Sequence, residues 1–143
     1  IIEDIPYDPY LYFDGEEDSM AWRLFTNGYN IFHTPNTPIF HYYVDPSNIV
    51  TRPFHWDQTE ETKRDTNWHD LKQRGRKRLN AIVENNLEGV YALGQVKNLD
   101  DYSLFSGLDI KNKQVLDPEN VFNFNKLKDL KWNQDSEKTG IFG

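Results

Sequence analysis

The sequence predicts an α/β domain, and four stretches carry that prediction. DGEEDSMAWRLFTN, residues 14–27, reads as an amphipathic helix with an acidic mouth. YNIFH (29–33) and IFHYYV (39–44) are short runs rich in strand formers. A second amphipathic helix follows over about residues 64–86.

Each element has a local reason. In IPYDPYLYF, residues 5–13, Pro6 and Pro9 forbid a helix interior, so the stretch is an extended or turning loop that brings Leu11 and Phe13 to a core. Asp14 stands where a helix N-cap belongs, and Glu17 takes the third position of a capping box. Met20, Ala21, Leu24 and Phe25 follow as one apolar stripe, and Gly28 suits the position after the helix. TPNTP then separates the two strands. Residues 45–62 have no clean period and read as a long irregular connection. In the second helix Trp68, Leu71, Leu79, Ile82 and Val83 share a face with Gly75. Further on, Asn98 caps a short helix, Asp101 takes its third position and Gly107 ends it. LDI (108–110) begins a strand. The folded part spans 1–116, and residues 117–143 form a polar C-terminal extension with one more small helix.

Composition removes several classes of function. The 143 residues contain no cysteine, which rules out a disulfide framework, a thiolate nucleophile and a cysteine zinc site. Zero cysteine suits a reducing compartment, and the cytoplasm is the expected location. No stretch approaches the ~20 apolar residues of a membrane span, and mean hydropathy is -0.81. A net charge of -7 argues against general nucleic-acid binding. The basic block KQRGRKR, residues 72–78, is better read as the solvated face of the second helix than as a phosphate patch. There is no GxGxxG, no Walker-type loop, no GxSxG and no HExxH. The chain begins at Ile1, as expected of a piece of a longer protein or a processed form.

Three groups of residues remain as candidates for chemistry. Helix capping accounts for Asp14 and Glu17 but leaves Glu16 and Asp18 open, as solvated surface or as functional carboxylates. His33 and His41 lie in consecutive short strands, and their spacing fits no compact zinc motif. Carboxylates with one imidazole and a diphosphate would suit a hard cation better. RPFHWD, residues 52–57, gathers a guanidinium to grip phosphate, an imidazole to donate a proton and an indole to stack.

The order of these motifs resembles one family. PYDPYLYFDGEEDSMAWRLFTNGYNIFHTPNTPIFHYY, then RPFHWD, then W-x₂-L and RKRL, then YALG and YSLFSGLDI, is similar to the GlcNAc-transferases related to hydroxyproline-polypeptide α-N-acetylglucosaminyltransferases. The resemblance covers about residues 3–110. It implies the C-terminal half of a GT-A fold and transfer of GlcNAc or a related sugar from a UDP-sugar to a protein hydroxyl or glycan. It also implies a divalent metal, Mn²⁺ or Mg²⁺, and retention at the sugar. On the matching positions, Glu16 and Glu17 are the carboxylates at the sugar end of the donor site, and His41 completes the metal coordination. Arg52, His55 and Trp56 lie on the loop that closes over the nucleotide diphosphate. The family's DxD motif and uracil-binding unit belong upstream of Ile1, and nothing in the chain replaces them. The competing expectation is a non-catalytic module, derived from a transferase, that binds glycans or proteins.

Overall fold

The structure, a computed structural model, describes residues 3–31 and 54–121. Among these, five helices and one strand pair follow in the order α1 (Glu16–Thr26), α2 (Gln58–Glu61), α3 (Trp68–Val83), α4 (Leu99–Ser106), β1 (Leu108–Asp109), β2 (Gln114–Val115) and α5 (Pro118–Val121). The strands pair antiparallel, Leu108 opposite Val115. The expected strand at 39–44 lies outside the described residues, and so does the end of the strand expected at 29–33. Tyr29 to Ile31 forms no strand.

α4 follows its sequence signals closely. The Asn98 side chain accepts from the backbone N–H of Asp100 and Asp101, and Asp101 accepts in return from the Asn98 N–H at 2.8 Å. Gly107 closes the helix at φ 76°, where a side chain would be strained. Of the connection expected at 45–62, residues 45–53 lie outside the described residues, and residues 58–61 form α2.

α1 is entered differently from the expectation. Gly15, not Asp14, is the N-cap, and no side chain caps the helix. Asp14 turns away to meet Lys72 at 2.9 Å and Arg76 at 3.6 Å on α3. Glu17 is exposed and forms no capping box. The buried face is also rotated from the expected stripe. Met20, Ala21 and Leu24 are only half-buried, and the helix buries Ser19, Trp22, Arg23, Phe25 and Thr26.

Trp22, Ile82 and Leu99 form the centre of the core, joining α1, α3 and α4. Leu79, Val83, Leu87, Leu93, Tyr102 and Ile110 pack around them. α1 also clamps the loop at 90–97. Arg23 Nη2 donates to the Val90 carbonyl at 2.9 Å. The Thr26 hydroxyl accepts from the Gly94 N–H at 2.8 Å, and the Thr26 carbonyl accepts from Val96 and Lys97, both at 3.0 Å.

Tyr102 packs edge-on to Phe25 with ring centroids 5.3 Å apart. Burial first, and the charge of Asp18 second, raise its pKa above the usual phenol value. The folded state therefore favours the protonated phenol. Its contribution is complete below the unfolded value of about 10 and is lost as pH rises through the higher folded value. Thermal melts across this alkaline range should show a fall in Tm that Tyr102→Phe reduces. An unchanged slope in the variant would contradict the assignment.

Candidate functional site

The N-terminal loop is laid onto α3 before it enters α1. Asp8 is 2% exposed. Its carboxylate accepts from the Tyr10 N–H at 3.1 Å and from Arg78 Nε at 2.7 Å. Three residues on, Leu11 is buried, and the backbone at Leu11 and Tyr12 passes so close to α3 that a Cβ on Gly75 would lie 3.1 Å from the Tyr12 nitrogen. The basic block is thus not simply a solvated face. Lys72, Arg76 and Arg78 hold Asp14 and Asp8.

Between these anchors the chain makes a sharp reversal. Phe13 adopts φ 60° and Gly15 φ 86°. A side chain at Gly15 would also meet Leu79 at 2.6 Å. The reversal delivers Glu16, the first residue of α1, to an open cleft of about 360 Å³ lined by Tyr12, Phe13, Glu16, His55, Arg64 and Leu71.

The second wall comes from residues 54–64. Phe54 N–H donates to the Asp57 carboxylate at 2.7 Å, and Asp57 N–H donates back to the Phe54 carbonyl at 2.9 Å. This tight turn presents His55 and Trp56. The His55 ring lies 4.5 Å from both Phe13 and Trp56, centroid to centroid, and 5.4 Å from Tyr12. Arg64 ties the walls together, its Nη1 donating to the Tyr12 hydroxyl and to the His55 carbonyl, each at 3.1 Å. Glu61 Oε1 accepts from the Trp68 N–H at 2.6 Å and links α2 to α3. His55 Nε2 is buried without a hydrogen-bond partner. Such an atom is costly to leave unpaired.

Of the residues singled out from the sequence, the structure brings Glu16 and His55 to one cleft. Trp56 adjoins it through His55. Glu17 and Asp18 are exposed and do not line it. The negative mouth still acts locally. After desolvation, the charges of Glu16 and Glu17 raise the pKa of Tyr7. Arg52, His33 and His41 lie outside the described residues. Among the described residues no group of three or more His, Asp or Glu side chains could hold a metal ion.

Tyr12, Phe13, Arg64 and Leu71 complete the cleft and were not singled out for it. The aromatic run YLYF was the available signal, but Phe13 was expected in the core and is instead 57% exposed. Arg64 carried no local signal, since its partners are tertiary.

The arrangement can do several things chemically. A carboxylate accepts from hydroxyls, a guanidinium donates to oxygen, a phenol does either, and the aromatic wall excludes water on one side. Among the described residues no helix is long and apolar enough to cross a membrane. No curated protein and no solved structure matches the chain. The family model described as Glycosyltransferase (GlcNAc) matches residues 1–112, which include the whole cleft and the helices that build it. By that match over most of its length, the chain belongs to the GlcNAc glycosyltransferase family.

Proposed function

We propose that the chain contributes the sugar-end half of a donor site, transferring GlcNAc or a related sugar from a UDP-sugar to a hydroxyl of a protein or glycan. The observation that carries this reading is the meeting of Glu16 and His55, from two separate segments, in one cleft inside the family-matched region.

The chemical difficulty is departure of the diphosphate from the anomeric carbon, through an oxocarbenium-like transition state. Glu16 binds the sugar hydroxyls and fixes the ring. His55, on the cleft wall, contacts the diphosphate, with Arg52 and Trp56 on the same stretch of chain completing the grip. With retention, which the resemblance implies, the departing phosphate takes the acceptor proton and Glu16 positions rather than acts as base. A divalent cation, Mn²⁺ or Mg²⁺, belongs to the proposal through the resemblance alone, with His41 as its candidate ligand. It would neutralise charge on the diphosphate.

The test is release of UDP from UDP-GlcNAc by the full-length protein. Glu16→Gln should lower turnover at least about tenfold, roughly 1.4 kcal/mol of transition-state stabilisation, with Tm near that of the parent. Glu17→Gln, on the exposed side of the same turn, should stay near parental turnover. Normal turnover in Glu16→Gln would remove Glu16 from the site.

A further inference from the structure

Two polar residues of the cleft, Tyr12 and Arg64, have no role in the transfer described above, and they are bonded to each other. Tyr12 is half-buried on the cleft wall and is fixed at three levels. Its backbone is held against α3, because Leu11 beside it is buried and a Cβ on Gly75 would lie 3.1 Å from the Tyr12 nitrogen. Its ring stands edge-on to His55, with centroids 5.4 Å apart. Its hydroxyl accepts from Arg64 Nη1 at 3.1 Å. The same nitrogen donates to the His55 carbonyl at 3.1 Å, which puts the hydroxyl on the wall assigned to the diphosphate. A guanidinium only donates, so the phenol oxygen must be the acceptor in this bond. The phenol hydrogen is therefore turned away from Arg64 and is available to another acceptor. Accepting from a cation also polarises the O–H bond and strengthens it as a donor.

We propose that the Tyr12 hydroxyl donates a hydrogen bond to the departing diphosphate, with Arg64 as the positioning residue that aims it. The inference rests on the transferase reading above and adds two residues to that site. In the transfer, the bond from the anomeric carbon to the diphosphate oxygen breaks, and its electron pair stays on that oxygen. The acceptor hydroxyl bonds to the same carbon, and its proton passes to the diphosphate. Tyr12 keeps its own proton throughout. Negative charge grows on the leaving oxygen, so a hydrogen bond to it is stronger in the transition state than in the bound donor. Arg64 and the close contact at Gly75 hold the hydroxyl in place before the donor arrives, so little reorganisation is needed as that charge develops. The work then divides across the cleft: Glu16 holds the sugar, while His55 and Tyr12 face the diphosphate.

Steady-state release of UDP from UDP-GlcNAc by the full-length protein, together with direct titration of UDP, tests the proposal. Tyr12→Phe keeps the ring beside His55 and should leave Tm near that of the parent. It should lower kcat at least about tenfold with KM for UDP-GlcNAc unchanged, the pattern of an interaction made in the transition state. UDP already carries the full leaving-group charge, so its Kd should rise by a similar factor. Arg64→Met should also lower kcat, and by clearly less in the Tyr12→Phe background than in the parent. A purely structural link would lower Tm and leave kcat and UDP affinity of the folded variant unmoved. That result would overturn the proposal, as would a raised KM alone or fully additive losses from the two substitutions. If the parent releases UDP and Tyr12→Phe matches it, the role of Tyr12 falls and the transfer reading stands. A parent that neither binds UDP nor releases it overturns the transfer reading and this inference with it.

Discussion

Asp8→Ala is expected to destabilise the fold by about 3–5 kcal/mol, the usual cost of breaking a buried ion pair from one side. Asp8 is the buried carboxylate between two cations. Arg78 Nε binds it directly at 2.7 Å, and Arg23, fully buried, feels its charge. Both guanidinium groups lie over the Tyr91 ring, Arg23 at 5.6 Å and Arg78 at 5.3 Å, and Arg78 also covers Tyr10 at 4.7 Å. Burial lowers the pKa of Arg23, and Asp8 is the largest influence opposing that shift. Two Arg23 nitrogens, Nε and Nη1, already lack hydrogen-bond partners. Removing Asp8 leaves the cluster with two cations and no counter-charge. Urea unfolding should show the loss in full, and the double variant Asp8→Ala, Arg78→Met should recover part of it. A loss below about 1 kcal/mol would mean that water reaches the cluster and screens it.

Gly94→Ala should cost a similar amount, about 3–5 kcal/mol, from overpacking plus disturbed hydrogen bonds. A Cβ at Gly94 would fall 2.4 Å from the Asn27 nitrogen and the Thr26 carbonyl carbon. Those are backbone atoms at the end of α1, so no side chain can rotate to make room. The same contact carries the bonds from Gly94, Val96 and Lys97 to Thr26. Relief requires the 90–97 loop to lift from the helix. By contrast, Gly89→Ala meets nothing within 4 Å, although its φ of 84° still strains a side chain. It should cost less than Gly94→Ala in the same unfolding experiment. Equal losses would show that backbone conformation, not the close approach, dominates at both sites.

The helices were legible where the signals were local. Asn98, Asp101 and Gly107 bound α4 because a cap needs only neighbours within one turn. α3 was readable from its apolar face and the buried Gly75, with its ends trimmed to Trp68 and Val83. The mouth of α1 was misread for a physical reason. Local propensity offered Asp14 as a cap, but the basic residues of α3 offered it an ion pair, and the tertiary contact won. Arg23 was hidden for a related reason. A charged residue in an amphipathic pattern is assigned to solvent, and only the facing Val90 carbonyl, Tyr91 ring and Asp8 make its burial tolerable. Of the site, Glu16 and His55 could be picked from residue type and order. Their meeting depends on Arg64 and Tyr12, whose contact spans distant parts of the chain.

The clamp on the far end of α1 has a mechanical consequence for the near end. Glu16 and Arg23 sit on one rigid rod, seven residues and roughly 10 Å apart. Tilting that rod by roughly 5° about its clamped end would displace the carboxylate by about 1 Å. A misplacement of that size is enough to cost about a hundredfold in a reaction that depends on alignment. Under the proposed transfer, the loop at 90–97, which contributes no lining residue to the cleft, would be the fulcrum that aims Glu16.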